Sequence, residues 1–439
     1  MGLLKRMKRV LVITYYWPPT GGSGVQRWVK FAKYLPSFGW QPVIYTPENP
    51  EQLAIDISLE DEVPSEAEII KTSIIEPYNL YKKVLKRSGH STEAVEVNPI
   101  NAKEKSLVQK FAMWIRGNLF RPDPRCLWIN PSVRFLKKYL EEHPVDVIVS
   151  TGPPQSMHII GRKLSLQTGI PWIADFRDPW TKIFYFKHLS MTKATERWHA
   201  KMEKKVLDDA TAVVAVSPLV QQDFQNITST PVHLITNGFD ESDFNVDIEP
   251  DNHFNITHTG LLTKEGNPIE LWKALANKCL TDSDFADKFR LILVGKTDKE
   301  VIASIKQAGL ENNLIDYGYC NHLTAIKCQK SASLLILPIR EEPETKAILP
   351  GKLFEYLAAG KPILGIGTRE GAMAQVLEET GSGKIYDWND GNDISSFIDD
   401  SWKKFNLPQN KEEISSDIMK YSRKALSGKM VELFESLIK

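Results

Sequence analysis

The chain has little cysteine, no long apolar stretch, no net charge and no tract of biased composition, and each shortage closes off a class of function. Its four cysteines, Cys126, Cys279, Cys320 and Cys328, are widely spaced and include no Cys-x-x-Cys pair. Neither a zinc site nor a disulfide framework is indicated, and a reducing cytosol is the expected setting. The basic N-terminus, Met1 to Arg9, is followed by an apolar stretch, Val10 to Ile13, too short for a signal peptide. No run of about 18 apolar residues occurs, so no membrane-spanning helix is expected and any membrane contact would be peripheral. The net charge of +0 hides an asymmetry, because residues 1–235 hold 31 Lys and Arg against 23 Asp and Glu, and the remainder 24 against 32. A basic first half beside an acidic second half suggests different partners for the two, unless the imbalance is spread over two solvated surfaces.

At 439 residues the chain exceeds what one hydrophobic core usually serves, which predicts two domains. Short apolar, β-branched runs alternate with longer amphipathic segments. In the first half the runs are Val10–Tyr15, Pro42–Tyr45, Val145–Ser150, Trp172–Asp175, Ala212–Val216 and Val232–Ile235. In the second they are Asn255–His258, Arg290–Val294, Leu314–Tyr317, Ser333–Leu337, Pro362–Ile366 and Gly383–Tyr386. Runs that are apolar throughout suit strands covered on both faces, with helical crossovers between them. The pattern reads as parallel α/β and occurs twice, predicting two Rossmann-like domains, 1–235 and 236–413. A last amphipathic stretch, 414–439, is free to pack back on either domain, the first being the expectation.

Residues 76–131 interrupt the rhythm. Between Lys82 and Arg121 nine basic residues stand against three acids, and Leu107, Phe111, Trp114, Ile115, Leu119 and Phe120 recur at helical spacing. This basic amphipathic stretch, 103–121, either lies in a membrane interface or faces the core with a solvated basic back. It contains no recognisable nucleic-acid reading module, so no nucleic-acid partner is expected.

Three clusters carry chemistry. After the first strand, Pro18-Pro19-Thr20-Gly21-Gly22-Ser23-Gly24 opens a helix near Val25, and such glycines let backbone N–H groups approach an anion. The dinucleotide fingerprint is absent, since its last position falls on Arg27. The second cluster runs His258-Thr259-Gly260-Leu261-Leu262-Thr263-Lys264. A strand ending at Gly260 places Lys264 to meet a diphosphate beyond the carboxyl ends of the sheet, unless it is an ordinary loop lysine. The third, Leu349-Pro350-Gly351-Lys352-Leu353-Phe354-Glu355-Tyr356 to Gly360 and Pro362, marks a buried helix with one acid inside. Glu355 suits the hydroxyls of a ribose or a structural salt bridge, and the N–H groups around Lys352 and Leu353 suit phosphate.

With Asn237-Gly238-Phe239-Asp240 and Leu291-Ile292-Leu293-Val294-Gly295, these segments resemble retaining glycosyltransferase family 4 over nearly the whole chain. Ser150-Thr151-Gly152-Pro153-Pro154 and Ala174-Asp175-Phe176-Arg177-Asp178-Pro179-Trp180 look like its branch that builds bacterial surface polysaccharides. The resemblance implies a GT-B fold, two Rossmann-like domains facing a central cleft. A nucleotide-sugar donor (a UDP- or GDP-sugar) would be bound by the second domain through Gly260, Lys264, Lys352, Leu353 and Glu355, with Gly22 of the first domain also on the donor side. The first would bind a lipid-linked or cell-envelope glycan, with Gly21 and Asp175 on the acceptor side. It implies a cytoplasmic enzyme at the inner membrane face, with no cofactor and no metal; Asp282-Ser283-Asp284 follows a predicted helix and reads as a helix cap. Asp178 is the candidate for taking the acceptor proton, and Arg177 for meeting phosphate or acceptor, unless the aspartates and Arg177 brace the loop as an ion pair. Two departures stand out. The first of the family's paired glutamates falls on Ala347, and its Gly-Arg pair is Gly260-Leu261. A GT-B-type nucleotide-sugar epimerase and a non-catalytic donor-binding subunit are the other readings of the same residues.

Overall fold

The computed structural model describes residues 7–51, 55–76, 114–115, 117–183, 186, 189–249, 251–407 and 415–438. The chain divides into two compact units, Met1–Thr236 with Ser427–Lys439, and Asn237–Leu426.

The first unit is built on β1 (Lys8–Ile13), β2 (Trp40–Pro47), β3 (Glu68–Thr72), β4 (Val147–Gly152), β5 (Trp172–Phe176), β6 (Ala212–Ala215) and β7 (Val232–Leu234). They form one parallel sheet in the order β3-β2-β1-β4-β5-β6-β7. The second is built on β8 (Phe254–Thr259), β9 (Phe289–Val294), β10 (Leu314–Asp316), β11 (Leu334–Pro338), β12 (Ile363–Ile366) and β13 (Gly383–Tyr386). Its parallel sheet runs β10-β9-β8-β11-β12-β13. Parallel neighbours need crossovers, and helices supply them on the sheet faces. The central strands β4, β5, β6, β8 and β12 are buried along their whole length, which is why they read as unbroken apolar runs. In each sheet the strand order reverses once, between β1 and β4 and between β8 and β11. An open α/β sheet binds its ligand beyond the carboxyl ends of the strands at such a point.

Strand β3 was not among the expected runs. Its sequence, Glu68-Ile69-Ile70-Lys71-Thr72, alternates too little apolar character with charge, as suits an edge strand of which no residue is fully buried. The C-terminal stretch, expected as one helix, is two: Ser416–Met419 and Arg423–Leu437. The break falls where Ser422 bridges Phe239 and Arg423 N–H donates to Phe239 O at 2.7 Å. The second helix packs in the first unit, with Met430 and Phe434 at 0% exposure, the Phe434 ring on Trp40, and Trp40 Nε1 donating to Glu435 Oε1 at 3.0 Å.

Most of the basic stretch 103–121 lies outside the described residues. In its described end, Asn118 Nδ2 donates to Trp114 O and Ser190 O, while its Oδ1 accepts from Thr192 N and Thr195 Oγ1. Trp114 and Leu119 remain exposed.

Candidate functional site

In the first unit the strand ends at the switch point are held by arginines. Gly22 has φ 100° and stands at the N-terminus of the helix Ser23–Tyr34, a backbone state that favours glycine. Gly21 serves a close approach, since a Cβ there would lie 2.9 Å from Asp56 Cβ. The helix carries Arg27 and Trp28 down onto β5. Arg27 Nη2 donates to Asp175 Oδ1 at 2.8 Å, Trp28 Nε1 and Thr151 Oγ1 donate to Asp175 Oδ2 at 2.8 Å, and both ion-pair side chains are 0% exposed. Burial pushes the Asp175 carboxyl up, but Arg27 and the hydrogen bonds outweigh it and hold it below the usual carboxylate range. Asp175 was expected on the acceptor side. It lies instead inside β5, with both carboxylate oxygens taken up by Arg27, Trp28 and Thr151.

Arg177 departs from expectation too. Its backbone N–H donates to Gly152 O at 2.9 Å and its Nε to the same oxygen at 3.4 Å; Nη1 donates to Gly24 O and Nη2 to Pro153 O. The guanidinium ties the glycine turn after β1 to the proline turn after β4, so it shapes the site. The alternative of an Asp–Arg brace within the loop finds no Arg177–Asp175 ion pair among the described residues, where Asp175 pairs with Arg27. Asp178, next along, is exposed. Desolvation by the surrounding protein nevertheless pushes its carboxyl up to about 6, with Arg177 pulling the other way. A carboxyl of this kind takes a proton near neutral pH.

In the second unit three glycine turns stack at the strand ends. Gly260 (φ 94°) donates its N–H to Val294 O at 2.6 Å, and Gly295 (φ 124°) donates to Gly318 O at 2.6 Å. The β8–β11 ladder stops at Thr257↔Leu335, and beyond it the His258 imidazole takes the next carbonyl, Nδ1 lying 3.0 Å from Ile336 O. Lys352 Nζ lies 3.3 Å from His258 Nε2 and 3.4 Å from Leu261 O. Burial lowers His258 to about 3, helped by the Lys352 charge, and lowers Lys352 to about 8 against the pull of Glu355. Glu355 was expected buried and awaiting a ribose. It is half-buried, with Gln329 Nε2 on its Oε2 at 2.9 Å, and Gln329 also holds Thr259 Oγ1 at 3.0 Å.

Two donor expectations change. Lys264 is exposed, its backbone N–H fixed by Asp298 Oδ2 at 3.0 Å, and the ammonium at the Gly260 turn belongs to Lys352. Leu353 closes its N–H on Pro350 O at 3.0 Å, leaving Lys352 N–H as the open donor of that pair in the first turn of the helix Gly351–Ala359. Asp282 accepts from Phe285 N at 3.0 Å and Trp402 Nε1 at 3.1 Å, the contacts of a helix cap. Arg27, His258 and Gln329 were missed. Only His258, beside the glycine turn, carried a sequence signal.

The fold is shared with known proteins. A family model described as Glycosyltransferase Family 4 matches residues 22–243, and one described as Glycosyl transferases group 1 matches residues 240–413. No curated protein sequence matches the chain. Among solved structures, a glycosyltransferase from Rickettsia africae ESF-5 is similar with TM-score 0.63 at 14% identity, over 98% of this chain and 99% of that one. Sucrose-phosphate synthase from Thermosynechococcus elongatus gives 0.61 at 14% identity, and a trehalose-6-phosphate protein from E. coli bound with UDP-2-fluoro glucose gives 0.60 at 11%. Each covers 98% of this chain and 99% of its own.

Proposed function

The chain belongs to glycosyltransferase family 4 and has the two parallel α/β sheets of the GT-B fold; from that premise we propose that it moves a sugar from a UDP- or GDP-sugar to a lipid-linked or cell-envelope glycan, with retention and without a metal. The second unit takes the donor. The observation that carries this is the Gly260 turn at the switch point, where Lys352, a helix N-terminus and Glu355 are collected at the ends of β8 and β11. A nucleotide sugar is also what the E. coli neighbour holds.

In the proposed reaction the acceptor oxygen bonds to the anomeric carbon as the bond from that carbon to the diphosphate oxygen breaks. The electron pair leaves with the diphosphate, and fixed positive groups take up its charge, which costs no reorganisation at the moment of transfer. Asp178 receives the acceptor proton. Arg177 keeps the two turns of the first unit in place through Gly24, Gly152 and Pro153. The enzyme works in the cytoplasm at the inner membrane face.

Thermal melts with UDP-, GDP- and ADP-sugars test the donor, since a ligand at 100 times its Kd stabilises by about 2.7 kcal/mol. Incubation of the stabilising sugar with an envelope extract, followed by product analysis, tests the transfer. If no nucleotide sugar shifts the melt, the donor assignment fails; a new nucleotide sugar formed without acceptor would make the protein an epimerase.

A further inference from the structure

We propose that the side-chain ammonium of Lys352, and not that of Lys264, is the cation that receives the donor's diphosphate, standing in space where the chain has Leu261 in place of an arginine. The inference rests on the nucleotide-sugar reading above and assigns the charge within that site.

Three observations converge on Lys352. Its Nζ lies 3.1 Å from the point a Cβ on Gly260 would occupy, and 3.4 Å from Leu261 O. The lysine therefore reaches the same turn that the sequence leaves without a cation at position 261. Gly260, at φ 94°, keeps that space open.

His258 fixes the direction of the ammonium. Its Nδ1–H donates to Ile336 O at 3.0 Å, which leaves the lone pair on Nε2, 3.3 Å from Lys352 Nζ. The imidazole is fully buried and stays neutral, so it accepts from the ammonium and does not repel it. Two of the three N–H bonds of Lys352 are thus held by neutral acceptors, and among the described residues the third has none.

The charge balance completes the case. Lys352 is half-buried, yet no ion pair joins it to a carboxylate among the described residues; Glu355, one turn along its helix, is engaged by Gln329. A half-buried ammonium met only by neutral groups is partly desolvated without a counter-charge, and an anion offsets that cost. Lys264, exposed to solvent, carries no such deficit.

The test is calorimetry on the full chain with UDP, GDP and ADP and with their monophosphates. Wild type is expected to bind one diphosphate more tightly than the matching monophosphate. Lys352→Met should weaken that diphosphate by about tenfold or more, the loss of a charge-assisted contact, while the monophosphate affinity holds; Lys352→Arg should recover much of the difference. Circular dichroism melts of each variant show whether the fold is kept. Equal losses for diphosphate and monophosphate, or full diphosphate affinity in Lys352→Met, would overturn the assignment, as would a loss carried by Lys264→Met alone. If wild type binds none of the nucleotides, the donor reading itself falls and takes this inference with it.

Discussion

Asp175 and Asp178 stand three positions apart and experience opposite surroundings, which gives them opposite pH behaviour. Asp175 is an ion-pair partner with no exposed surface, so Asp175→Asn leaves the Arg27 guanidinium buried without its counter-charge. Breaking a buried pair from one side costs about 3–5 kcal/mol, and urea unfolding should show a loss of that order in the first unit. Because its folded pKa lies below the unfolded value, Asp175 contributes stability above that value, and the contribution disappears as pH falls through the folded one. Asp178 runs the other way. Its carboxyl is raised from 3.8 to about 6, so the folded state binds the extra proton in that window and stability falls as pH rises through it. Asp178→Asn should remove this fall in a series of melts between those pH values. The same group predicts the pH profile of transfer. In its proposed role of proton acceptor Asp178 must be ionised, so kcat/KM should climb tenfold per unit up to about pH 6 and then level off. Asp178→Asn should lower kcat far more than it changes the KM for donor, and should lose that acid limb. A variant with wild-type turnover removes Asp178 from the chemistry.

At the scale of elements, the Gly295 turn of the second unit leaves no room for a side chain. A Cβ on Gly295 would fall 2.4 Å from Gly260 O, at a φ of 124°. Gly295→Ala should therefore destabilise the second unit by about 1–3 kcal/mol from backbone strain. By displacing the Gly260 turn it should also weaken nucleoside diphosphate binding, with melts and calorimetry giving the two effects separately. Elements of this kind show how far the sequence could be read. Strands β4, β5, β8 and β11 declare themselves because burial on both faces demands an unbroken apolar run. Strand β3 does not, because an edge strand tolerates Glu68, Lys71 and Thr72. The run Trp172–Asp175 already held Asp175, but nothing local in it names Arg27, 148 positions away, as the partner that occupies its carboxylate. The glycine turn and the helix after Pro350 were both visible as motifs. That Lys352 of one reaches Gly260 of the other, across 92 positions of sequence, is set by the neighbouring places of β8 and β11 in the sheet. No local pattern encodes that neighbourhood, so the sequence by itself points to the nearer Lys264.

For the whole molecule, the chain leaves the first unit at Thr236 and returns to it at Ser427, so residues 427–439 complete the first unit. The returning helix gives it Met430, Leu433 and Phe434, which are 0%, 6% and 0% exposed, and a Glu435 carboxylate that meets both Lys8 and Trp40 Nε1. Each such apolar side chain contributes about 1.5–3 kcal/mol when buried. Three of them approach the roughly 5–15 kcal/mol that holds an ordinary domain together. Removing residues 427–439 should therefore loosen β1, β2 and the helix Ser23–Tyr34, while β8, β9 and β11 keep their protection. Hydrogen exchange on the truncated chain reads the two units separately, strand by strand. Uniform protection in both would mean that the first unit holds without its last helix. A uniform loss would mean that the two units unfold together, which would tie the stability of the donor side to the last 13 residues as well.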